Sequence, residues 1–169
     1  IRQMIDYISG KISTVVLLVN PTRDYVHKII KTLQPSFLQF HGDETPKFCN
    51  QFDYPYIKAI RVSPDLNMER QIEHFNPKGG FLFDTWHPKK YGGTGGTFDW
   101  DVLPNELKAP KILAGGLTST NVGQAIKIAR PDIVDVSGGV ESLKGIKDER
   151  LIANFVDSVG SADMKINKK

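Results

Sequence analysis

The chain has 169 residues, 40% of them hydrophobic and 24% charged, with a formal net charge of +3 and a single cysteine. That composition suits one well-cored soluble domain and excludes an internal disulfide framework. Basic and acidic residues are interleaved, which argues against nucleic acid as a partner. No apolar run nears the roughly 20 residues of a membrane span, and no signal-peptide pattern opens the chain, so a cytoplasmic location is expected.

In chain order, a helix is expected over Ile1 to Ile8, a strand over Thr14 to Asn20, a helix over Arg23 to Leu33 and a strand over Phe37 to Gly42. A helix over Lys47 to Phe52, a strand over Tyr56 to Val62, a helix over Leu66 to Phe75 and a strand over Gly80 to Thr85 follow. Strands over Lys111 to Gly116 and Ile133 to Ser137 then flank a helix over Thr120 to Ala129, and Asp148 to Val159 forms the last helix. The strand segments are short runs rich in Val, Ile, Leu and Phe, the composition of a parallel sheet covered on both faces. Thr22, Thr45, Asp65 and Thr118-Ser119 are the expected helix-start signals. Regular alternation without a linker predicts one α/β domain over 1–169.

Polar and small residues gather where these strands end: Asn20, His41, Arg61, Asp84, Gly115 and Ser137. Barrels and doubly wound sheets both build their sites at the carboxyl ends of strands, so this placement leaves both architectures open, and six strands alone fit an open sheet better. Asp84 closes the apolar run Gly80-Phe81-Leu82-Phe83. It reads either as a general acid, its pKa raised by apolar surroundings, or as a loop cap that accepts backbone N–H groups. Gly115, Gly116, Ser137, Gly138 and Gly139 would let backbone N–H groups approach a phosphate, or would simply make tight turns. The stretch Tyr91 to Thr97 reads as a lid or as a plain flexible connection. His41 and Arg61 line a pocket or serve structure, and Asp135 is expected to point into a barrel or to pair with Lys58 or Lys111. Trp86, His87 and Trp100 are packing or lid residues.

Several runs, taken together, resemble the phosphoribosylanthranilate isomerase family. They are Leu38-Gln39-Phe40-His41-Gly42-Asp43-Glu44, Ile57-Lys58-Ala59-Ile60-Arg61-Val62, Phe83-Asp84, Gly93-Thr94-Gly95 with Phe98-Asp99-Trp100, Leu113-Ala114-Gly115-Gly116-Leu117, and Val134-Asp135-Val136-Ser137-Gly138-Gly139-Val140-Glu141. The resemblance implies an eight-stranded α/β (TIM) barrel. It also implies a cofactor-free and metal-free Amadori rearrangement in tryptophan biosynthesis, from N-(5-phosphoribosyl)anthranilate to 1-(2-carboxyphenylamino)-1-deoxyribulose 5-phosphate. On that resemblance Asp84 is the general acid, and Gly115, Gly116, Ser137, Gly138 and Gly139 form the phosphate cradle. His41, Arg61, Gly93, Thr94 and Gly95 line the substrate pocket. The implied partner is a small phosphosugar, with no nucleic acid or membrane, and the complete protein is expected as a monomer or homodimer.

The chain departs from the family pattern in two ways. The family's general-base cysteine on its first strand and the carboxylate-binding arginine after its second have no counterpart here, and Cys49 falls in a helix away from any strand end. The expectation is strands 3 to 8 of a barrel whose first two strands are absent, so that residues 1–169 alone self-associate and lack isomerase activity. The competing readings are another phosphosugar barrel, such as an indole glycerol phosphate synthase or an epimerase, and a phosphate-binding remnant without catalysis.

Overall fold

The computed structural model describes residues 2–8, 10–86 and 96–166. Its elements run α1 (Arg2–Ile8), β1 (Val15–Leu18), α2 (Arg23–Leu33), β2 (Phe37–Phe40), α3 (Pro46–Asn50), β3 (Tyr56–Val62), α4 (Met68–Ile72) and β4 (Gly80–Thr85). They continue with β5 (Lys111–Leu113), α5 (Val122–Ala129), β6 (Ile133–Val134), the short hairpin β7 (Glu141–Leu143) and β8 (Ile146–Lys147), and α6 (Glu149–Ile166).

Strand order decides between the two architectures. The six strands pair in the sequence β1-β2-β3-β4-β5-β6, all parallel. A doubly wound sheet reverses its order at a switch point; this sheet never reverses. It is a singly wound, curled part-barrel, so the open sheet favoured by strand count alone is set aside.

The sheet has two unlike faces because successive side chains point to opposite sides. On the outer face, Ile60, Val62, Phe81, Phe83 and Leu113 pack against α5 and α6 through Val122, Ala125, Ile126, Ala129, Phe155 and Ala162. Leu38, Phe40 and Tyr56 pack with Val26 of α2 and Cys49 of α3. Phe40 and Phe83 are fully buried, each contributing about 1.5–3 kcal/mol by leaving water. On the inner face, Ile57, Ala59, Leu82, Ile112 and Ala114 form a separate layer with Phe37. That layer thins toward the ends of the sheet, where Val15, Leu17 and Val19 are 45%, 55% and 40% exposed and Ile133 is 50% exposed.

Helix starts follow local chemistry. Thr22 Oγ1 accepts from the Tyr25 N–H and Thr45 Oγ1 from the Phe48 N–H, capping α2 and α3 as expected. At α4 the cap is Asn67, which accepts from the Arg70 N–H, and not Asp65. The helix starts two residues after the expected Leu66, whose N–H donates to the Ser63 carbonyl in the preceding turn.

Candidate functional site

Parallel strands in register bring a set of polar residues to the carboxyl end of the inner face. Gln39 and His41 continue the inner row of β2, Arg61 that of β3 and Asp84 that of β4, with Arg61 and Asp84 directly in register. Asp135, just past β6, falls on the same face because Ile133 is in register with Ile112. Asp84 is 5% exposed. Its Oδ2 lies 3.2 Å from His41 Nε2, and its Oδ1 accepts from the Thr85 N–H at 2.7 Å. His41 Nδ1 in turn lies 3.0 Å from Gln39 Nε2.

Asp135 pairs with neither lysine that the sequence suggested. Lys58 Nζ donates to Glu44, Phe40 O and Gly42 O, and Lys111 Nζ donates to Ala129 O. Asp135 is exposed as a residue, yet desolvation of its carboxyl, and then the Asp84 charge, push that group above the usual carboxylate range, while His41 and Lys147 oppose the rise.

The glycines of the later strand ends are held open by geometry. Gly115 and Gly116 have φ of 84° and 60°, a region that favours glycine. A Cβ at Gly115 would lie 2.4 Å from Thr85 Oγ1 and 3.0 Å from Asp84 Oδ1, so this turn packs against the Asp84 carboxylate. Asn121 fixes the turn by accepting from the Thr118 N–H and donating to Gly116 O. Across from it, Gly138 and Gly139 open a 3-10 turn over Gly138–Val140. A Cβ at Gly139 would lie 1.9 Å from Leu117 O, whereas one at Gly138 would meet nothing within 4 Å. The two glycine-bearing ends are thus packed on each other, with open space above Gly138. Lys147 Nζ reaches Ser137 O at 2.8 Å and Ser137 Oγ at 3.2 Å while pairing with Glu141 Oε1 at 2.8 Å, which sets an ion pair beside this turn.

Arg61 pairs with Asp43, after β2. Both border a cavity of about 370 Å³ also lined by Gly42, Glu44, Leu66 and Trp86. Neither Asp84 nor the glycine-bearing ends line that cavity, whose lining includes Ile60, Leu66 and Phe75 of the outer core. Gly93, Thr94 and Gly95 lie outside the described residues, as does the rest of the expected lid up to Gly95; Gly96 O accepts from Thr85 Oγ1 at 2.7 Å. Cys49 is 1% exposed in α3 and burial pushes its thiol up to about 12, which makes it unfit as a base at neutral pH.

Residues 3–158 match the family model described as N-(5'phosphoribosyl)anthranilate (PRA) isomerase. The chain belongs to the phosphoribosylanthranilate isomerase family. It is 46% identical over 145 residues to the N-(5'-phosphoribosyl)anthranilate isomerase of Neisseria meningitidis serogroup C, covering 86% of this chain and 70% of that relative. It is 47% identical over 151 residues to that of Pseudomonas putida strain W619, covering 89% and 73%. The crystal structure of phosphoribosyl anthranilate isomerase from Thermotoga maritima superposes with a TM-score of 0.81 at 31% identity, over 95% of this chain and 78% of that one. A phosphoribosyl anthranilate isomerase in complex with reduced 1-(o-carboxyphenylamino)-1-deoxyribulose 5-phosphate gives a TM-score of 0.77 at 29% identity, over 95% and 77%. These relatives share the barrel expected of the family, and the strands found here are a consecutive part of one. Among the described residues no helix is long and apolar enough to cross a membrane.

Two positions carry more of the site than the sequence reading gave them. Gln39 stands two residues before His41, and strand alternation alone puts the two on one face. Lys147 gains its place beside Ser137 only through the hairpin of β7 and β8.

Proposed function

We propose that the inner mouth of this part-barrel carries the acid and phosphate sites of phosphoribosylanthranilate isomerisation. One observation carries the reading: buried Asp84 sits against the Gly115 turn, which is packed in turn on the Gly138-Gly139 turn. Acid and cradle are therefore neighbours, as a five-carbon phosphosugar spanning both requires.

The reaction opens a furanose ring, so a proton must reach the ring oxygen, and then a proton leaves the adjoining carbon. Asp84 is the donor. Its Oδ1 is engaged by the Thr85 N–H, which leaves Oδ2, on the His41 side, as the oxygen that carries the proton. The base is a group other than Cys49, whose thiol stays protonated. Backbone N–H groups of Gly115, Gly116, Gly138 and Gly139, with the Ser137 hydroxyl, form the phosphate cradle, and Lys147, paired with Glu141, holds the Ser137 end of it. His41 orients the acid. Arg61 lines the cavity it shares with Asp43, and Gly93, Thr94 and Gly95 are proposed to cover the substrate. A cytoplasmic location fits this small-molecule chemistry. A phosphoribosylanthranilate isomerase from Thermotoga maritima is described as dimeric, and a homodimer is the expected state of the complete protein here too.

Thermal protection by the reduced product analogue tests the cradle. The analogue should raise the melting temperature of the chain, and Gly138→Val should abolish that rise without unfolding the protein, since its side chain enters open space. Equal protection of the Gly138→Val chain would send the phosphate elsewhere.

A further inference from the structure

Gln39, His41 and Asp84 form a row of three buried side chains, 9%, 5% and 5% exposed. The row runs from Gln39 Nε2 to His41 Nδ1 at 3.0 Å, and from His41 Nε2 to Asp84 Oδ2 at 3.2 Å. A neutral imidazole has one donor and one acceptor nitrogen, whereas the cation has two donors. A carboxamide has both kinds of atom, so Gln39 serves Nδ1 in either state. Its Nε2 donates to a bare Nδ1, and after a half-turn of the amide its Oε1 accepts from Nδ1–H.

We propose that Gln39 is a positioning residue that lets His41 and Asp84 hold one exchangeable proton between Nε2 and Oδ2. The inference rests on the reading of Asp84 as the acid. In the loaded pair the proton lies on the Nε2–Oδ2 axis, and Nδ1–H donates to Gln39 Oε1. Transfer of the axial proton to the substrate ring oxygen forms the new O–H bond and leaves Asp84 ionised. One proton from solvent then reloads the pair. Transfer to the ring oxygen leaves His41 neutral with its remaining proton on Nδ1; exchange with solvent, one proton leaving Nδ1 and one arriving at Nε2, gives the resting pair, in which Nε2–H donates to the Asp84 carboxylate and Gln39 Nε2 donates to Nδ1. The charged groups facing the pair are Asp135, which feels both Asp84 and His41, and Arg61, in register with Asp84 and paired with Asp43. Lys147 acts on Asp135.

Histidine ring nitrogen–proton correlation spectra of the chain across pH test the proposal, with the His41 signals assigned by their loss in His41→Asn. The wild-type chain should show His41 as a single Nε2–H tautomer at alkaline pH. Gln39→Leu, which offers neither donor nor acceptor, should mix the tautomers and lower the pH at which His41 gains its second proton. Gln39→Glu, similar in size but accepting only, should raise that midpoint by roughly one unit. A merely structural residue would not move the midpoint in opposite directions. Unchanged tautomer and midpoint in both variants, or shifts of the same sign, would overturn the proposal. Should Gln39→Leu fail to fold, Gln39→Glu decides alone: an upward shift supports the proposal, and no shift or a downward one overturns it. The acid role of Asp84 is judged separately by turnover, so either idea can fail while the other's measurement stands.

Discussion

Glu44 and Lys58 form a 3.0 Å ion pair whose side chains are 2% and 5% exposed. Neither charge is left with water, and both are saturated by backbone. The Glu44 carboxylate accepts from the N–H groups of Asn20 at 2.8 Å and Gly42 at 2.9 Å, while Lys58 Nζ donates to Gly42 O at 2.7 Å. The pair thereby ties the loop after β1 to the loop after β2, which carries His41. Asn20 completes the tie: held at φ 47°, it accepts from the Asp43 N–H.

Breaking such a pair strands a buried charge. Lys58→Met or Glu44→Leu alone is expected to cost about 3–5 kcal/mol in denaturant unfolding, while the double substitution recovers a large part of that loss. Equal and additive costs would show that the two charges act independently.

The carboxyl at Asp135 gives the chain a specific pH dependence. Its folded pKa is raised, first by desolvation of the carboxyl and then by the Asp84 charge, an effect that water screens at this exposed position. A raised acid contributes most below its ordinary unfolded value, and that contribution is lost as pH rises through the folded one. Asp135→Asn should therefore stabilise the chain at neutral pH relative to the parent, with the difference fading in acid. Thermal melts at both pH values check this, and a constant difference would contradict it.

The neighbouring glycines Gly138 and Gly139 should behave in opposite ways. Gly139→Ala places a methyl 1.9 Å from Leu117 O, so backbone must move; overpacking of this kind costs about 1–3 kcal/mol or more. Gly138→Ala meets open space and should change stability by no more than about 1 kcal/mol. Matching stability losses for the two would place Gly138 in a packed site.

Much of this fold was legible because its signals are local. Continuous apolar runs marked all six strands, and β3 and β4 begin and end as expected, since Tyr56 to Val62 and Gly80 to Thr85 are bounded by turn-forming residues. Threonine caps marked two helix starts. Strand order was not legible in the residue pattern itself, because pairing is decided by tertiary contacts that no single segment encodes; the family resemblance implied it, and the consecutive parallel order agrees. The hairpin of β7 and β8 was missed for a similar reason. Its strands have three and two residues, too few for a period to show, and Lys147 gained its place beside Ser137 only through that turn. The acid and the glycine ends were visible as residue types at strand ends, but their contact through Gly115 required the parallel register of β4 and β5.

The inner face predicts the solution behaviour of residues 1–169 expressed alone. Val15, Leu17, Val19 and Ile133 expose apolar surface on that face, and among the described residues β1 and β6 each pair with one neighbour. Light scattering after size exclusion should report self-association that grows with concentration. A monomer at all concentrations would show that this surface is covered.

Turnover by the complete enzyme carrying Asp84→Asn tests the central claim most directly, because Asn keeps the size and can still accept from the Thr85 N–H but has no proton to give. The account expects kcat for phosphoribosylanthranilate to fall roughly 10²–10⁴-fold with little change in KM. An unchanged kcat would remove Asp84 from the chemistry and contradict the reading of this mouth as the isomerase acid site.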